Sequence, residues 1–155
     1  MEVYNLADKP EYLQKVVDVL YQEWGNHSES NSNRNYWESW VKSSLSTTDV
    51  PQTLIGLEDE TLIATASLWR CDLQSRQDLF PWFGGLWVKP EYRMQGIGTM
   101  MQTTAIEKLR LMGYRTVYLF TDLIGFYEKS GWFPIGSVPD EKGIIVNLYQ
   151  YNIRE

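Results

Sequence analysis

The stretch that most constrains this chain runs from a buried strand, through a proline, into a glycine-rich helix start. Residues 83–89 are apolar, aromatic and β-branched, which is typical of a buried strand. Pro90 has no N–H for a strand ladder, so pairing should stop there. Gly96 and Gly98 then open a helix. Its apolar residues recur on one face, at Ile97, Met101, Ala105, Leu109 and Met112.

Glycines at a helix start predict an anion-binding site. Glycine lets backbone N–H groups approach a phosphate closely, and the helix N-terminus adds about half a positive charge. The P-loop is excluded, because Gly98 is followed by Thr99 and Met100 instead of Lys-Ser or Lys-Thr. The dinucleotide fingerprint is excluded as well, because it requires a small residue where this chain has Met101. A structural role stays open, in which the glycines only let the helix pack closely on the strand.

A third pattern does fit these residues. Arg-x-x-Gly-x-Gly begins at Arg93, and Leu-x-Val-x-Pro ends at Pro90. Together they resemble the coenzyme A signature of the GNAT superfamily of N-acetyltransferases. Residues 126–132, Phe-Tyr-Glu-Lys-Ser-Gly-Trp, are similar to a later motif of the same family. The resemblance covers roughly residues 61–138, and the earlier residues match only in their helical layout.

The resemblance implies acetyl-CoA as cosubstrate. Its pyrophosphate is expected on the loop, mostly through backbone amides, and its pantetheine arm beside the preceding strand. The implied loop residues are Arg93, Met94, Gln95, Gly96, Ile97, Gly98 and Thr99. The implied strand residues are Leu86, Trp87 and Val88. Backbone N–H groups of that strand can polarise the thioester carbonyl.

Tyr127 matches the tyrosine that many members of the family use as a general acid toward the leaving thiolate. With an ordinary pKa of about 10, its hydroxyl keeps its proton at neutral pH. The alternative is that Tyr127 only packs against the cofactor or donates a fixed hydrogen bond. Phe120 departs from the family pattern, since many relatives carry an asparagine there that helps to bind the cofactor.

An amine acceptor has to lose a proton before it attacks a thioester. An alkyl amine of pKa about 10.4 is almost fully protonated at pH 7, so a base would help. Three aspartates lie at predicted strand ends and are candidates: Asp72, Asp78 and Asp122. Each could instead bind the positive charge of the acceptor or cap a turn, and the sequence leaves the base unassigned.

Composition limits the partners and the location. The formal net charge of −6 argues against nucleic acid, which requires a basic surface, and suits a cationic acceptor. Cys71 is the only cysteine, which excludes an internal disulfide and agrees with a cytoplasmic location. No apolar run approaches the ~20 residues of a membrane helix, and no signal peptide is recognised. His27, the only histidine, has no neighbouring ligands in the sequence, so no metal is expected.

The elements predict a single domain over residues 1–155 of the α+β class, with three α/β/α-type layers. A mixed, mostly antiparallel central sheet is flanked by helices in the order β-α-α-β-β-β-α-β-α-β-β. A polar surface loop is expected at residues 26–35. A short helix capped by Thr121 or Asp122 is expected to run through Tyr127 and to end at Gly131. The resemblance implies that the central strand and the strand after the long helix splay apart to admit coenzyme A. The final hairpin could pair two copies of the chain in a homodimer.

The function expected from these features is an acetyl-CoA-dependent N-acetyltransferase. The acceptor would be a primary amine on a small molecule, such as a polyamine, aminoglycoside or amino acid, or on a peptide. The amine would attack the thioester directly. The alternative is a non-catalytic module that binds acyl-CoA as a sensor or regulator.

Overall fold

The strands of this chain join in one sheet of order β1-β2-β3-β4-β5-β7-β6. It is seen in a computed structural model that describes residues 1–25 and 33–154. The strands are β1 (Glu2–Asn5), β2 (Gln52–Glu58), β3 (Thr61–Trp69), β4 (Trp82–Val88), β5 (Thr116–Thr121), β6 (Phe133–Pro139) and β7 (Ile145–Asn152). All neighbouring pairs are antiparallel except β4 and β5. The predicted mixed, mostly antiparallel sheet is confirmed.

Helices cover both faces of the sheet, because successive side chains of a strand point to opposite faces. The helices are α1 (Leu13–Trp24), α2 (Arg34–Lys42) and α3 (Ile97–Leu111). In β2, Ile55 packs in the cluster that contains residues of α1 and α2, whereas Leu54 packs in the cluster that contains α3. On α3 the predicted positions Met101, Ala105 and Leu109 are fully buried. The chain therefore has the predicted three layers.

The one parallel pair of strands separates almost at once. β4 and β5 are in register only at Trp82 and Tyr118, next to a hydrogen bond of 3.1 Å from the Tyr118 N–H to the Pro81 carbonyl. On its other edge β5 pairs with β7 along its whole length, from Thr116 opposite Asn152 to Thr121 opposite Asn147, so β5 itself is a regular strand. The splayed gap implied by the family resemblance is therefore present between β4 and β5.

One predicted helix takes another form. The first part of the predicted helix, up to Tyr127, is replaced by bends and turns, and only a 3₁₀ turn forms, at Glu128–Ser130. It ends at Gly131, as predicted. Gly125 has a φ of +83°, in the left-handed region, which interrupts a right-handed helix. The Glu128 carboxylate accepts hydrogen bonds of 3.1 and 3.2 Å from the Gly125 N–H and closes the turn.

The predicted loop at residues 26–35 is shorter at its far end than expected. Asn33 caps α2, since its side chain accepts a 2.8 Å hydrogen bond from the Asn35 N–H, and the helix begins at Arg34. Residues 26–32, with His27, lie outside the described residues.

Two features of the described residues concern membranes and metal ions. No helix there is long and apolar enough to cross a membrane. Within residues 1–25 and 33–154, no three His, Cys, Asp or Glu side chains converge as metal ligands would. Since His27 lies outside these ranges, the expectation of no metal stays a prediction.

Candidate active site

The gap between β4 and β5 is lined by a distorted part of β4. Between Thr65–Trp87 and Ser67–Gly84, the register advances by two residues in β3 and by three in β4, which marks a β-bulge. Gly85 lies in the bulge with a φ of +60°, a conformation that glycine adopts without strain. Bulges of this kind re-aim backbone groups beside functional sites.

A buried hydroxyl holds the bulge in place. Thr65 Oγ1 donates a 2.8 Å hydrogen bond to the Gly85 carbonyl, and Thr65 is fully buried. Beside it, a chain of hydroxyls joins Ser67 to Thr53 at 2.9 Å and Thr53 to Ser44 at 2.7 Å. Sequence reasoning did not select these residues. The available signal was a pair of hydroxyl side chains, Thr65 and Ser67, at alternate positions of an otherwise apolar strand.

The glycine-rich loop lies at the carboxyl end of β4, after a 3₁₀ turn at Pro90–Tyr92. Gly96 is the N-cap of α3 with a φ of +81°, and Met94 also has a positive φ, of +62°. The first amides of a helix have no acceptor within it, and a glycine N-cap has no side-chain oxygen to offer them. Among the described residues, apart from Gly96 and its two chain neighbours, no heavy atom lies within 4 Å of where a Cβ of Gly96 would be. The loop can therefore receive an anion.

The side chains of the loop do little to fill this space. Arg93 Nε donates a 2.8 Å hydrogen bond to the Val88 carbonyl, and its guanidinium lies 3.8 Å from the Glu23 carboxylate of α1. Arg93 thus ties the loop to the end of β4. The Met94 side chain is fully exposed, and Gln95 Nε2 donates a long bond of 3.4 Å to the Glu91 carbonyl.

The loop, the strand and the residue before Tyr127 meet around Gly98. A Cβ built on Gly98 would lie 3.9 Å from Phe126 Cζ, 3.9 Å from Val88 Cγ2 and 4.0 Å from Leu86 Cδ2. Leu86 and Val88 pack toward α3, whereas Trp87 packs with α1 and α2 on the opposite face. The predicted cofactor residues are therefore brought together, with the Trp87 side chain on the other face.

Tyr127 lies directly behind Phe126. The two rings are edge to face with centroids 4.9 Å apart, and Trp132 and Tyr149 also contact the Tyr127 ring. Burial raises the pKa of the Tyr127 hydroxyl to about 12. This group therefore carries its proton throughout the physiological range.

Asp72 is the one predicted base candidate that lies against β4. Its Oδ2 is 2.6 Å from where a Cβ of Gly84 would be, and Trp69 Cδ1 is 3.3 Å from the same position. A side chain at residue 84 would displace the carboxylate from this position. Burial, and in second place the negative charge of Glu141, raise the pKa of Asp72 from 3.8 to about 7. Glu141, in the turn between β6 and β7, was not selected by sequence reasoning.

The other two candidates lie in different surroundings. Asp78 is exposed and forms a two-pronged ion pair with Arg76, at 2.9 and 3.0 Å, which lowers the pKa of the Asp78 carboxyl. Asp122 is exposed in the turn after β5. A carboxylate with a lowered pKa is a weaker base, so Asp72 is better suited than Asp78 to accept a proton near neutral pH.

Comparisons with known proteins agree with this geometry. The chain matches the model of the Acetyltransferase (GNAT) family over residues 11–132. A solved aminoglycoside 6'-N-acetyltransferase complexed with coenzyme A has a TM-score of 0.78 and 16% identity, covering 100% of this chain and 98% of that one. The aminoglycoside 6'-N-acetyltransferase from Enterococcus faecium has a TM-score of 0.75 and 16% identity, covering 100% and 98%.

The protein yncA from Salmonella typhimurium, solved with acetyl-CoA, has a TM-score of 0.76 and 13% identity, covering 100% of this chain and 95% of that one. At such identities the likeness concerns the fold. No curated protein sequence matches the chain. The family model spans most of the chain, including β4, the glycine-rich loop, α3 and Tyr127. This chain belongs to the acetyltransferase (GNAT) family.

Proposed function

We propose that this protein transfers the acetyl group of acetyl-CoA to a primary amine. The observation that carries the proposal is the arrangement along β4. Asp72, whose pKa is near neutral, lies against Gly84 at one end of the strand, and the glycine-rich loop follows its other end. A proton acceptor and an anion site on one strand suit an amine acceptor and a diphosphate-bearing acyl donor.

Acetyl-CoA is proposed to bind with its pyrophosphate on the backbone amides of residues 94–99. These amides include the unpaired first turn of α3, and the helix N-terminus favours an anion. The pantetheine arm would then follow Leu86 and Val88 through the gap between β4 and β5, beneath Phe126. Within the gap, backbone N–H and C=O groups of β4 that are not paired with β5 can form hydrogen bonds with the arm.

Asp72 is proposed as the general base. Moving a proton from an ammonium of pKa about 10.4 to an ordinary aspartate costs about 9 kcal/mol, whereas the raised pKa of Asp72 lowers this to about 5 kcal/mol. At neutral pH about half of the Asp72 carboxyls are ionised and able to accept the proton. The same negative charge attracts the protonated acceptor.

The neutral amine then attacks the thioester carbon. A C–N bond forms, the C–S bond breaks, the nitrogen gives up a proton, and the sulfur leaves as a thiolate that has to be protonated. Tyr127 is proposed to supply that proton. Because a phenolate left behind by a tyrosine of pKa about 12 would be costly, Tyr127 has to be reprotonated as it donates, with the proton released by nitrogen as the source.

The acceptor is proposed to be a cationic amine of small size. The net charge of −6 and the negative charge of Glu141 acting on Asp72 both favour a cation. Several of the similar structures are aminoglycoside acetyltransferases, so aminoglycosides and polyamines are the first acceptors to assay. A sensor without activity would bind acetyl-CoA yet turn over no amine, and the near-neutral pKa of Asp72 favours the enzyme instead.

Pairing of two copies through the final hairpin is also proposed. β6 is the edge strand of the sheet, and Phe133, Ile135 and Ile145 are exposed on this hairpin. Pro134 and Pro139 have no N–H for a ladder, so a second copy would pack mainly through these apolar side chains.

Replacing Gly96 with glutamate tests the loop. A carboxylate about 4 Å from a phosphate repels it by roughly 4 kcal/mol at a protein surface, so acetyl-CoA affinity should fall by about 100-fold or more in calorimetry. Gly113→Glu is the control, because Gly113 has the same left-handed φ and open space but lies just beyond the opposite end of α3. Equal affinity in the two variants would refute the loop assignment.

Replacing Asp72 with asparagine tests the base. The kcat/KM for amine acetylation should fall by about 10²- to 10⁴-fold and lose an inflection near pH 7 that the wild type shows on the acid side. Asp78→Asn and Asp122→Asn serve as controls and should keep both. A full rate in Asp72→Asn, or an equal loss in either control, would contradict this assignment.

The same variant has an expected effect on stability. The folded protein holds the Asp72 proton more tightly than the unfolded chain does, so wild-type stability falls as pH rises from about 4 to about 7. Asp72→Asn should therefore be more stable than the wild type at pH 8, by at most about 4 kcal/mol, and nearly equal to it at pH 4. Urea unfolding at both pH values measures this difference.

Replacing Tyr127 with phenylalanine tests the acid. Turnover should drop by about 100-fold while acetyl-CoA affinity stays within about threefold, because only the proton donor is lost. Tyr151→Phe removes a hydroxyl from a ring that also contacts Trp132 and should leave turnover intact. An unchanged turnover number in Tyr127→Phe would remove the general-acid role.

Replacing Ile135 with aspartate tests the pairing of two copies. Light scattering after size exclusion should give a dimer for the wild type and a monomer for Ile135→Asp, because a charge in an apolar contact is strongly destabilising. Ile124→Asp, at a more exposed residue outside the hairpin, should remain dimeric. A monomeric wild type would exclude the proposed dimer.

A further inference from the structure

The Thr65 hydroxyl makes an unusual contact for a residue inside an apolar strand. It donates a 2.8 Å hydrogen bond to the Gly85 carbonyl twenty residues along the chain, and Thr65 has no exposed surface. The bond reaches the bulge in β4, where the regular ladder between β3 and β4 is interrupted. Gly85 has a φ of +60° there and, as a glycine, has little preference of its own for one backbone conformation.

This bond determines the direction of an N–H group. A trans peptide is planar, and its C=O and N–H point in opposite directions. With the Gly85 carbonyl held by Thr65 of β3, the Leu86 N–H of the same peptide points away from β3. On that side of β4 the neighbour is β5, which is in register with β4 only at Trp82 and Tyr118. The Leu86 N–H is therefore directed into the gap.

We propose that Thr65 is a positioning residue for acetyl transfer. Its hydroxyl fixes the Gly85–Leu86 peptide so that the Leu86 N–H is aimed at the oxygen of the thioester carbonyl. This inference rests on the proposed function. As the amine attacks, negative charge develops on that oxygen, and a donor already in place stabilises it without reorganising. Without the hydroxyl, the Gly85–Leu86 peptide is free to rotate, and the Leu86 N–H is no longer directed at the carbonyl oxygen.

The neighbouring hydroxyls provide a matched control. Thr53 is also a fully buried threonine in the centre of the sheet, on β2. Its hydroxyl bonds to the hydroxyls of Ser44 and Ser67 and not to the backbone of β4. Thr53→Val and Thr65→Val therefore remove the same group from the same kind of environment, and only the second releases the Gly85 carbonyl.

Steady-state kinetics provide the first test. Thr65→Val should lower kcat by about 10- to 100-fold with acetyl-CoA affinity nearly unchanged. This fall is smaller than the fall in kcat when an oxyanion-hole donor is removed completely, because the Leu86 N–H is still present. Thr65→Ser restores the hydroxyl and should recover most of kcat. Thr53→Val should keep wild-type kcat. Thermal unfolding of each variant shows whether a loss of kcat follows from a loss of folded protein. If the valine variant folds poorly, Thr65→Ala provides a second variant without the hydroxyl.

Infrared spectroscopy provides a test that needs no acceptor amine. In acetyl-CoA labelled with carbon-13 at the thioester carbonyl, a hydrogen bond to the oxygen lowers the carbonyl stretching frequency. The bound wild type, Thr65→Ser and Thr53→Val should show this lowering, and Thr65→Val and Thr65→Ala should show much less of it. The readout separates the two proposals, because a protein that turns over no amine can still be examined in this way.

The two measurements together show whether the Thr65 hydroxyl positions the Leu86 N–H. A lowered frequency that disappears only in the variants without the Thr65 hydroxyl supports the positioning role, even if no amine is turned over and the proposed function fails. Equal frequencies in the wild type and both of those variants overturn it, as does an equal fall in kcat in Thr65→Val and Thr53→Val.

Discussion

The separation of β4 from β5 is the constraint on which the rest of this site depends. In a regular sheet each strand satisfies the N–H and C=O groups of its neighbour, and buried backbone groups without partners are costly. Here the two strands are in register only at Trp82 and Tyr118, and the fully buried Trp82 ring lies 6.2 Å from both Tyr118 and Phe120 at the point of divergence. Beyond it, backbone groups on one side of β4 face a gap. A ligand with its own amides and carbonyls can occupy such a gap, and the pantetheine arm of coenzyme A is a ligand of that kind.

The features that the sequence predicted well are those with a local cause. The glycine-rich start of α3 is specified by Gly96 itself, which adopts a φ of +81° and leaves the helix amides free. The buried face of α3 follows from apolar residues at helical spacing. Of the five predicted positions, four are buried and Met112 is half-buried. The bulge in β4 includes a contact between residues distant in the chain, since the Gly85 carbonyl accepts a hydrogen bond from Thr65 of β3. Consecutive glycines at 84 and 85 inside an apolar strand were the local sign of it.

The segment between β5 and Tyr127 shows where a helical interpretation fails. Residues 122–127 have a capping residue at the start and apolar residues within, but Gly125 is left-handed and Glu128 closes the turn on its N–H. The shorter path brings Phe126 within van der Waals reach of Gly98. Because that contact is formed only in the folded protein, no pattern of spacing in residues 122–127 could have indicated that the ring lies over the loop. Asp122, a candidate base by its place at a strand end, is left exposed by the same path.

Burial acts on Asp72 and Tyr127 in the same direction but with different chemical consequences. In both groups the charged form is the deprotonated one, so removal from water raises both pKa values, to about 7 and about 12. For the carboxyl, this change brings a group that is normally ionised to a point where it can take up and release a proton at neutral pH. For the phenol, it only secures a proton that was already held, and it makes transfer to sulfur depend on prompt reprotonation. In the proposed mechanism the two groups act together, and the proton released by nitrogen has to return to Tyr127 within the gap between β4 and β5.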